Sequence, residues 1–392
     1  MDHKIIVIGG GVSGLTSALT LQLLGYQTEI ITDQLATDTT NKQQYPEFAS
    51  LYPSASVIPH SVYSAQLESL FRRSQSMFYE LRKRTFPGVT IHKHYEIFEE
   101  NPGQPDYCNW MLNLQTLDEL EADDIPRRPS SNDLHGWAFD CIFADWPLYL
   151  PALANRYANS GGTITNQKLT SNDITQLPAD TIINCSGTGA PTLFNDPSEQ
   201  QLLLRGHLLH KASAPIITDG NDNIISYNYT PSRSVYADGS GQPCDVYCYP
   251  RKDGWVLGGS RQAGQLGASE WQENSTVATY EQEDIAFPQP IVDLNSEILE
   301  TTFGASLDAS DALTPSVGYR YIRNRNDGLR LESEKLGNKK IIHNYGHGGA
   351  GVTLSWGCAL QIAGRVTGNA LPALEGVLLD ELAKLQNNKE NE

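Results

Sequence analysis

Apolar residues at the start of the chain fall into two patterns separated by glycines. Lys4-Ile5-Ile6-Val7-Ile8 is an unbroken, mostly β-branched run, as expected of a parallel strand buried on both faces. After a turn at Gly9 to Gly14, Leu15, Ala18, Leu19 and Leu23 recur at helical spacing, and Gly25 supplies a stop. Thr28-Glu29-Ile30-Ile31-Thr32 predicts a second strand ending at Asp33, which completes a βαβ unit. Residues 34–62 are polar and turn-rich, with Thr39-Thr40, then Phe48-Ala49-Ser50, then Pro59-His60. Helical periodicity resumes over 64–84. Leu67, Leu70, Phe71, Met77, Phe78 and Leu81 form the buried stripe, with Arg72, Arg73, Arg82 and Lys83 largely on a solvated face.

Farther along, the acidic, Pro- and Ser-bearing stretch 118–133 predicts an exposed loop. Residues 147–159 read as a helix stopped by Ser160-Gly161-Gly162. Thr181 to Cys185 reads as a strand ending in Ser186-Gly187-Thr188-Gly189. Between 206 and 290 the pattern changes to alternating, Tyr-rich segments separated by Gly and Asp turns, which predicts an antiparallel sheet. The C-terminal region returns to α/β type: a strand from Lys340 to Asn344, a glycine turn, and a helix through Leu354, Ala359, Leu360, Ala363 and Val366. With 392 residues the chain suits two domains. The expected fold is α/β: a discontinuous Rossmann-like domain from 1–60, 142–205 and 312–392, interleaved with a mainly antiparallel β-sheet domain from 61–141 and 206–311.

Composition narrows the function classes. Hydrophobic residues at 39% and charged residues at 19% describe a globular chain. The net charge of −18 argues against a nucleic-acid partner. No stretch approaches the roughly 20 apolar residues that span a bilayer, and the apolar start lacks a signal-peptide core. Six cysteines in a chain of this length form no disulfide framework, and the close pair Cys244 and Cys248 has no partners for a zinc site. Free thiols, a cytoplasmic location and no metal are expected, and Asn387 to Glu392 carries no peroxisomal address.

Gly9-Gly10-Gly11-Val12-Ser13-Gly14 fits the dinucleotide pattern G-x-G-x-x-G. Gly9 permits the tight turn, Gly11 lets a pyrophosphate approach the backbone, and Gly14 lets helix and strand pack closely. The helix N–H groups then face the phosphates. Asp33, 19 positions after Gly14, is placed to bind both hydroxyls of an adenosine ribose. This segment alone leaves the dinucleotide open between NAD and FAD.

The deciding segment is Ile341-Ile342-His343-Asn344-Tyr345-Gly346-His347-Gly348-Gly349-Ala350-Gly351, followed by Trp356-Gly357-Cys358-Ala359. Four glycines in six residues let a backbone loop press against a flat ring, and the next helix turns its positive end toward it. The segment resembles the signature of the D-amino-acid oxidase family (D-amino-acid oxidase and D-aspartate oxidase type). Ile182 to Gly187, Leu204-Arg205-Gly206-His207, Tyr247-Cys248-Tyr249-Pro250-Arg251 with Leu257-Gly258-Gly259, Gly318 to Arg323 and Leu329 to Glu332 resemble further family blocks in the family's order, from residue 4 to about 366. The resemblance implies FAD as cofactor, held by Gly9, Gly11, Val12, Ser13, Gly14, Asp33, Thr39, Thr40, Ser50, Ser186, Gly187, His347, Gly348, Gly349, Ala350, Gly351, Val352 and Thr353.

It also implies oxidation of a D-amino acid by dioxygen to a 2-oxo acid, ammonia and hydrogen peroxide. By family position Arg320 anchors the substrate carboxylate, Tyr247 adds a hydroxyl to it, and the Gly349 carbonyl accepts a hydrogen from the amine. From the residues alone, Arg323, Arg325 or Arg330 stands as a rival to Arg320, and Tyr249 as a rival to Tyr247. His60 and Arg261 fall where D-aspartate oxidases resemble this chain, and both also read as a surface histidine and an unrelated ion pair. Three departures affect the substrate end. Tyr321 replaces a usual proline, Asn324 to Gly328 are extra, and Pro243 stands near a lid tyrosine position beside an insertion at 211–242. A glycine or N-methyl amino acid oxidase, a NAD-dependent dehydrogenase and a non-catalytic flavin protein are the competing readings, and a homodimer is left open.

Overall fold

The computed structural model describes residues 4–131, 133–198, 201–267, 271, 278–282, 285–307, 313–323 and 328–387. The chain begins β1 (Lys4–Gly10), α1 (Val12–Leu23), β2 (Gln27–Leu35), α2 (Leu67–Lys83), β3 (Val89–Phe98), β4 (Leu112–Thr116) and β5 (His135–Ala144). It continues through α3 (Trp146–Asn159), β6 (Thr163–Asn166), α4 (Ser171–Ile174), β7 (Thr181–Asn184), α5 (Ala190–Phe194), β8 (Gln201–Ala212), β9 (Ile224–Thr230), β10 (Val246–Arg251) and β11 (Gly254–Gly258). The remainder is β12 (Gln262–Gln265), β13 (Thr279–Gln282), β14 (Ile285–Pro288), α6 (Pro290–Phe303), β15 (Leu313–Arg323), β16 (Ser333–Leu336), β17 (Lys339–His343), α7 (Gly351–Thr367) and α8 (Leu371–Asn387). Arg325 and residues 388–392 lie outside the described residues.

The described residues divide into two units. The first takes them from Met1–Val89, Trp146–Leu202 and Arg320–Glu392, the second from Thr90–Asp145 and Leu203–Tyr319. In the first, a six-stranded sheet has the order β16-β17-β7-β1-β2-β6. The five strands β17, β7, β1, β2 and β6 are parallel, and β16 pairs antiparallel at the edge. The β-branched runs anticipated from the sequence fill its core, with Ile6, Ile8, Ile31, Ile182 and Ile341 packed together. From β1 the chain builds outward to β2 and β6, then returns to the other side of β1 for β7 and β17. Strand order therefore reverses between β1 and β7, the place where open α/β sheets bind ligands beyond their strand ends.

Two expectations change here. β2 runs on to Leu35, because a register shift between Ile8 and Gly10 lets Gly10 pair with Leu35. Asp33 therefore lies within the strand and not at its end. The stretch 61–89, assigned by sequence to the sheet domain, belongs to the first unit. The reason is the stripe on α2: Leu70, Phe71, Ser74, Met77, Phe78 and Leu81 are buried. Ser74 Oγ accepts the Gly357 N–H of α7 at 2.8 Å. Arg73, expected on the solvated face, pairs with Glu375 of α8 at 3.3 Å.

The second unit is built on a sheet of order β12-β8-β11-β10-β9-β3-β5-β4, with β15 paired to β8. The pairs β8/β11, β10/β11, β9/β10 and β4/β5 are antiparallel, and β3/β9 is parallel. α6 contributes Ile291, Leu294 and Ile298 to a core with Tyr227, Trp255 and Leu257. The 211–242 segment is no appendage: its Ile224–Thr230 is the strand between β3 and β10. The acidic 118–131 stretch is pinned through Arg128 to Glu99 and Glu297 at 3.1 and 2.9 Å. All six cysteines are buried free thiols. Among the described residues no helix is long and apolar enough to cross a membrane.

A Cβ at Gly357 would overlap the Leu70 carbonyl oxygen, so helices α2 and α7 touch backbone to backbone there. Gly357→Ala is expected to force them apart and cost about 1–3 kcal/mol, the usual range for overpacking a core. Urea unfolding of the variant against the parent checks it, and an unchanged midpoint would contradict the close approach.

Candidate active site

Close backbone approach shapes the end of β1. Gly9 has φ +109, and a Cβ there would overlap the Cys185 carbonyl oxygen at the end of β7. A Cβ at Gly14 would overlap the Gly9 carbonyl oxygen, which seats α1 directly against the turn. A Cβ at Gly11 would come 2.9 Å from Ser50 Oγ. Ser50, carried on a 3-10 turn at Ala49–Leu51, accepts the Val12 N–H at 3.0 Å, while its carbonyl accepts Trp146 Nε1–H at 3.0 Å. The Ser13 carbonyl is taken by the Ser17 hydroxyl at 2.6 Å. Ser186 donates its N–H and hydroxyl to Asn184 Oδ1 at 3.1 and 2.6 Å, and Gly187 follows with φ +54. Asp33, Thr39 and Thr40 are exposed; the Thr40 N–H is accepted by Asp38 Oδ1 at 3.1 Å.

The second glycine segment leads from β17 into α7. Gly346 and Gly348 have φ of +84 and +57. A Cβ at Gly348 would overlap the Ser61 carbonyl oxygen. Gly348 N–H donates to the Tyr321 carbonyl and Gly349 N–H to the Ser61 carbonyl, both at 3.0 Å. Ser61 takes a left-handed conformation, φ +64, a strain of the kind that clusters at functional loops. Half-buried His60 immediately precedes it. Thr353 is buried and its hydroxyl donates to the Ser56 and Ile58 carbonyls at 3.3 Å, so it fastens the 56–58 segment to α7. Ala350 and Val352 are buried.

A Cβ at Gly351 would stand 3.8 Å from Val12 Cγ1. The first residues of α1 and α7 thus lie side by side, and neither helix has an acidic residue in its first turn. Two positive helix ends, whose first N–H groups have no intrahelical acceptors, converge beyond the strand-order reversal. This donor set fits FAD: phosphates suit the end of α1, and the glycine loop before α7 suits a flat ring that gains negative charge on reduction. His347 is buried here, with Nε2 3.1 Å from Asn344 Oδ1. Burial pulls its pKa down to about 4, so the ring is neutral near pH 7. Asn344, fully buried, also reaches Ser17 Oγ at 3.3 Å.

Local geometry sorts the rival arginines. Arg323 makes a bidentate pair with Asp196 at 2.8 and 2.9 Å. Arg330 pairs with Glu332 and Glu334 at 2.7 and 2.8 Å. Burial opposes ionisation of Asp196, but hydrogen bonds from Arg323 and Tyr345 prevail and hold its carboxyl below the usual range. Arg320 is half-buried against the glycine loop: a Cβ at Gly349 would lie 3.4 Å from Arg320 Cδ and 3.7 Å from Nε. Among the described arginines of this segment, Arg320 is the one brought to Gly349.

In the second unit, Tyr247 and Tyr249 are buried neighbours with ring centroids 4.9 Å apart. Tyr249 donates its hydroxyl to Asn228 Oδ1 at 2.6 Å. Tyr247 lies across Gly258 of β11, where a Cβ would overlap its hydroxyl. Arg261 keeps 42% of its side-chain surface exposed and forms an ion pair with Asp245, the structural role that the sequence left open for it. Pro243 bridges to Ala237. Ser61, Asp196, Asn228 and Glu96 were not anticipated. Asn228 Nδ2 donates to Glu96 Oε1 at 2.9 Å within a buried polar cluster that includes His94 and Ser226. No spacing in the sequence marks these residues.

A family model described as FAD dependent oxidoreductase matches residues 4–365. The chain is 27% identical over 370 residues to the D-amino-acid oxidase of Rubrobacter xylanophilus, covering 92% of this chain and 94% of the relative. It is 26% identical over 378 residues to the D-aspartate oxidase of Homo sapiens, with 92% and 93% covered. The solved structure of glycine oxidase from Geobacillus kaustophilus has the same fold, with a TM-score of 0.60, 14% identity and 94% and 96% of the two chains covered.

The buried neutral His347 makes stability pH-dependent. Its folded pKa of about 4 lies below the ordinary 6.5, so the unfolded chain binds the extra proton between these values. The contribution is full above pH 6.5 and is lost as pH falls toward 4, by about 3 kcal/mol. His347→Gln is expected to lose stability less steeply than the parent between pH 7 and 4.5 in melting experiments. Equal slopes would show that the ring is not buried neutral.

Proposed function

The chain belongs to the FAD dependent oxidoreductase family, and from that premise we propose that it oxidatively deaminates a D-amino acid to the 2-oxo acid, ammonia and hydrogen peroxide, with acidic side chains such as that of D-aspartate favoured. The observation carrying this reading is Arg320 against Gly349: a Cβ there would lie 3.4 Å from Arg320 Cδ and 3.7 Å from Nε. A guanidinium fork grips a carboxylate bidentately, so Arg320 holds the substrate's acid group. The Ala350 N–H donates back to the His347 carbonyl at 2.9 Å. A trans peptide points its C=O opposite to its N–H, so this bond turns the Gly349 carbonyl away from His347, where it accepts a hydrogen from the substrate amine. Two fixed holds on one Cα leave its hydrogen and side chain distinguishable, which is where selection of the D-enantiomer arises.

The chemistry FAD would supply when bound is acceptance of the Cα hydrogen with its electron pair, with dioxygen as the final electron acceptor. The protein needs no general base once the amine is neutral; its task is alignment. We assign Tyr247 to the substrate carboxylate by its position in the resembled family block; the Tyr249 hydroxyl donates to Asn228 Oδ1. His60 and Arg261 are assigned to an acidic side chain. A competing carboxylate, Asp245, already pairs with Arg261.

Peroxide release is expected from D-aspartate and D-alanine ahead of glycine and sarcosine at equal concentration. Faster turnover of glycine or sarcosine would move the assignment to that branch of the chemistry. Arg320→Ala is expected to lower kcat/KM about thirty-fold or more, the cost of about 2–5 kcal/mol for removing one partner of a bonded charge pair. Arg261→Ala is expected to reduce kcat/KM on D-aspartate far more than on D-alanine. Equal losses on the two substrates reject the acidic preference and leave the oxidase reading intact.

A further inference from the structure

Arg320 and Gly349 sit on different stretches of chain, and one buried carboxylate bonds to both stretches. Asp196 follows α5, where Asn195 turns the chain in left-handed backbone, φ +48. The Asp196 side chain is fully shielded from solvent. It accepts Arg323 Nε and Nη2 at 2.8 and 2.9 Å, the Tyr345 hydroxyl at 2.7 Å and the Ser198 N–H at 2.9 Å. Arg323 is the last residue of β15, three beyond Arg320. Strand side chains three apart face opposite ways, so Arg323 reaches into the unit from behind the strand that presents Arg320. Tyr345 immediately precedes Gly346 and the glycine loop.

The contacts around this carboxylate bind the same two stretches. A Cβ at Gly346 would stand 3.0 Å from Arg323 Cδ, and Gly348 N–H donates to the Tyr321 carbonyl at 3.0 Å. Arg323 Nη1 donates to the Gly328 carbonyl at 3.2 Å, and Arg330 Nη1 to the Tyr345 hydroxyl at 3.1 Å. We infer that Asp196 is a positioning residue: by joining Arg323 and Tyr345 it sets the spacing between the Arg320 guanidinium and the Gly349 carbonyl. This rests on the reading of those two groups as the substrate holds. A buried ion pair is a poor device for stability alone, because removing two charges from water offsets their attraction. A bidentate pair closed by a phenol fixes distance and orientation more tightly than apolar packing does. A misplacement of roughly 1 Å between holding groups costs about a hundred-fold in rate.

The test uses the FAD-loaded protein and propionate, a carboxylate with no amine to oxidise, titrated by the change in the flavin's visible spectrum, beside D-alanine kinetics. Asp196→Asn is expected to weaken propionate binding and lower kcat/KM on D-alanine, each about ten-fold or more, with flavin content unchanged. Tyr345→Phe, which removes one of the bonds to Asp196, is expected to show a smaller loss in the same direction. Arg320→Ala is measured alongside. If Arg320→Ala binds propionate as the parent does, the reading of Arg320 fails. If Arg320→Ala loses binding while flavin-loaded Asp196→Asn and Tyr345→Phe keep it, the positioning role is overturned and Arg320 stands. A lower melting temperature with unchanged propionate affinity likewise means a structural role only and overturns it. Should Asp196→Asn fail to hold flavin, Tyr345→Phe decides by the same criterion.

Discussion

Helices α1 and α7 begin side by side, with a Gly351 Cβ falling 3.8 Å from Val12 Cγ1. Each helix start leaves N–H groups without intrahelical partners and carries partial positive charge. Bringing two such ends together is costly unless something anionic meets them, and no acidic side chain of either first turn does so. The parallel sheet makes the juxtaposition possible, because β1, β7 and β17 run the same way and deliver both following turns to one edge. Gly9 and Gly14 let α1 start directly at its strand. Gly346 and Gly348 do the same for the longer loop before α7. That edge suits the phosphates and ring of FAD, the cofactor of the family to which the chain belongs.

Around this edge, charge is arranged in a strict division of labour. Arg323 and Arg330 are satisfied by Asp196, Glu332 and Glu334, and Tyr345 joins the two pairs through hydrogen bonds at 2.7 and 3.1 Å. Both of these buried arginines have carboxylate partners, as the cost of desolvation demands. Arg320, three residues before Arg323 and on the opposite face of β15, lies against Gly349. Three arginines close in sequence thus meet unlike surroundings through which face of a strand or turn they occupy.

The second unit shows the same principle inside a sheet. β3 and β9 place His94, Glu96, Ser226 and Asn228 in the core, where alternation would ordinarily put apolar side chains. Their bonds are made internally: His94 Nδ1 to Ser226 Oγ at 2.9 Å, Asn228 to Glu96 at 2.9 Å, and Tyr249 to Asn228 at 2.6 Å. Such a network holds Tyr249 in one orientation, and its ring packs on Tyr247.

Much of the nucleotide-binding architecture is legible in the sequence, since the β-branched runs, the glycine turns and the helical stripes are local patterns with local causes. G-x-G-x-x-G after a strand needs no knowledge of the rest of the chain. The glycine signature at 346–351 is legible for the same reason. What tertiary structure alone decided is everything that depends on partners far away in sequence. The stripe on α2 says only that one face is buried; its placement on α7 came from the fit of Leu70 and Ser74 against Gly357, 283 positions beyond Ser74 in sequence. The pairing of Arg323 and Arg330 followed from where Asp196, Glu332 and Glu334 fall, and the engagement of Arg261 from Asp245. An arginine's charge is written in the sequence. Its counter-charge is a matter of distance, and distance between remote residues exists only in the folded chain.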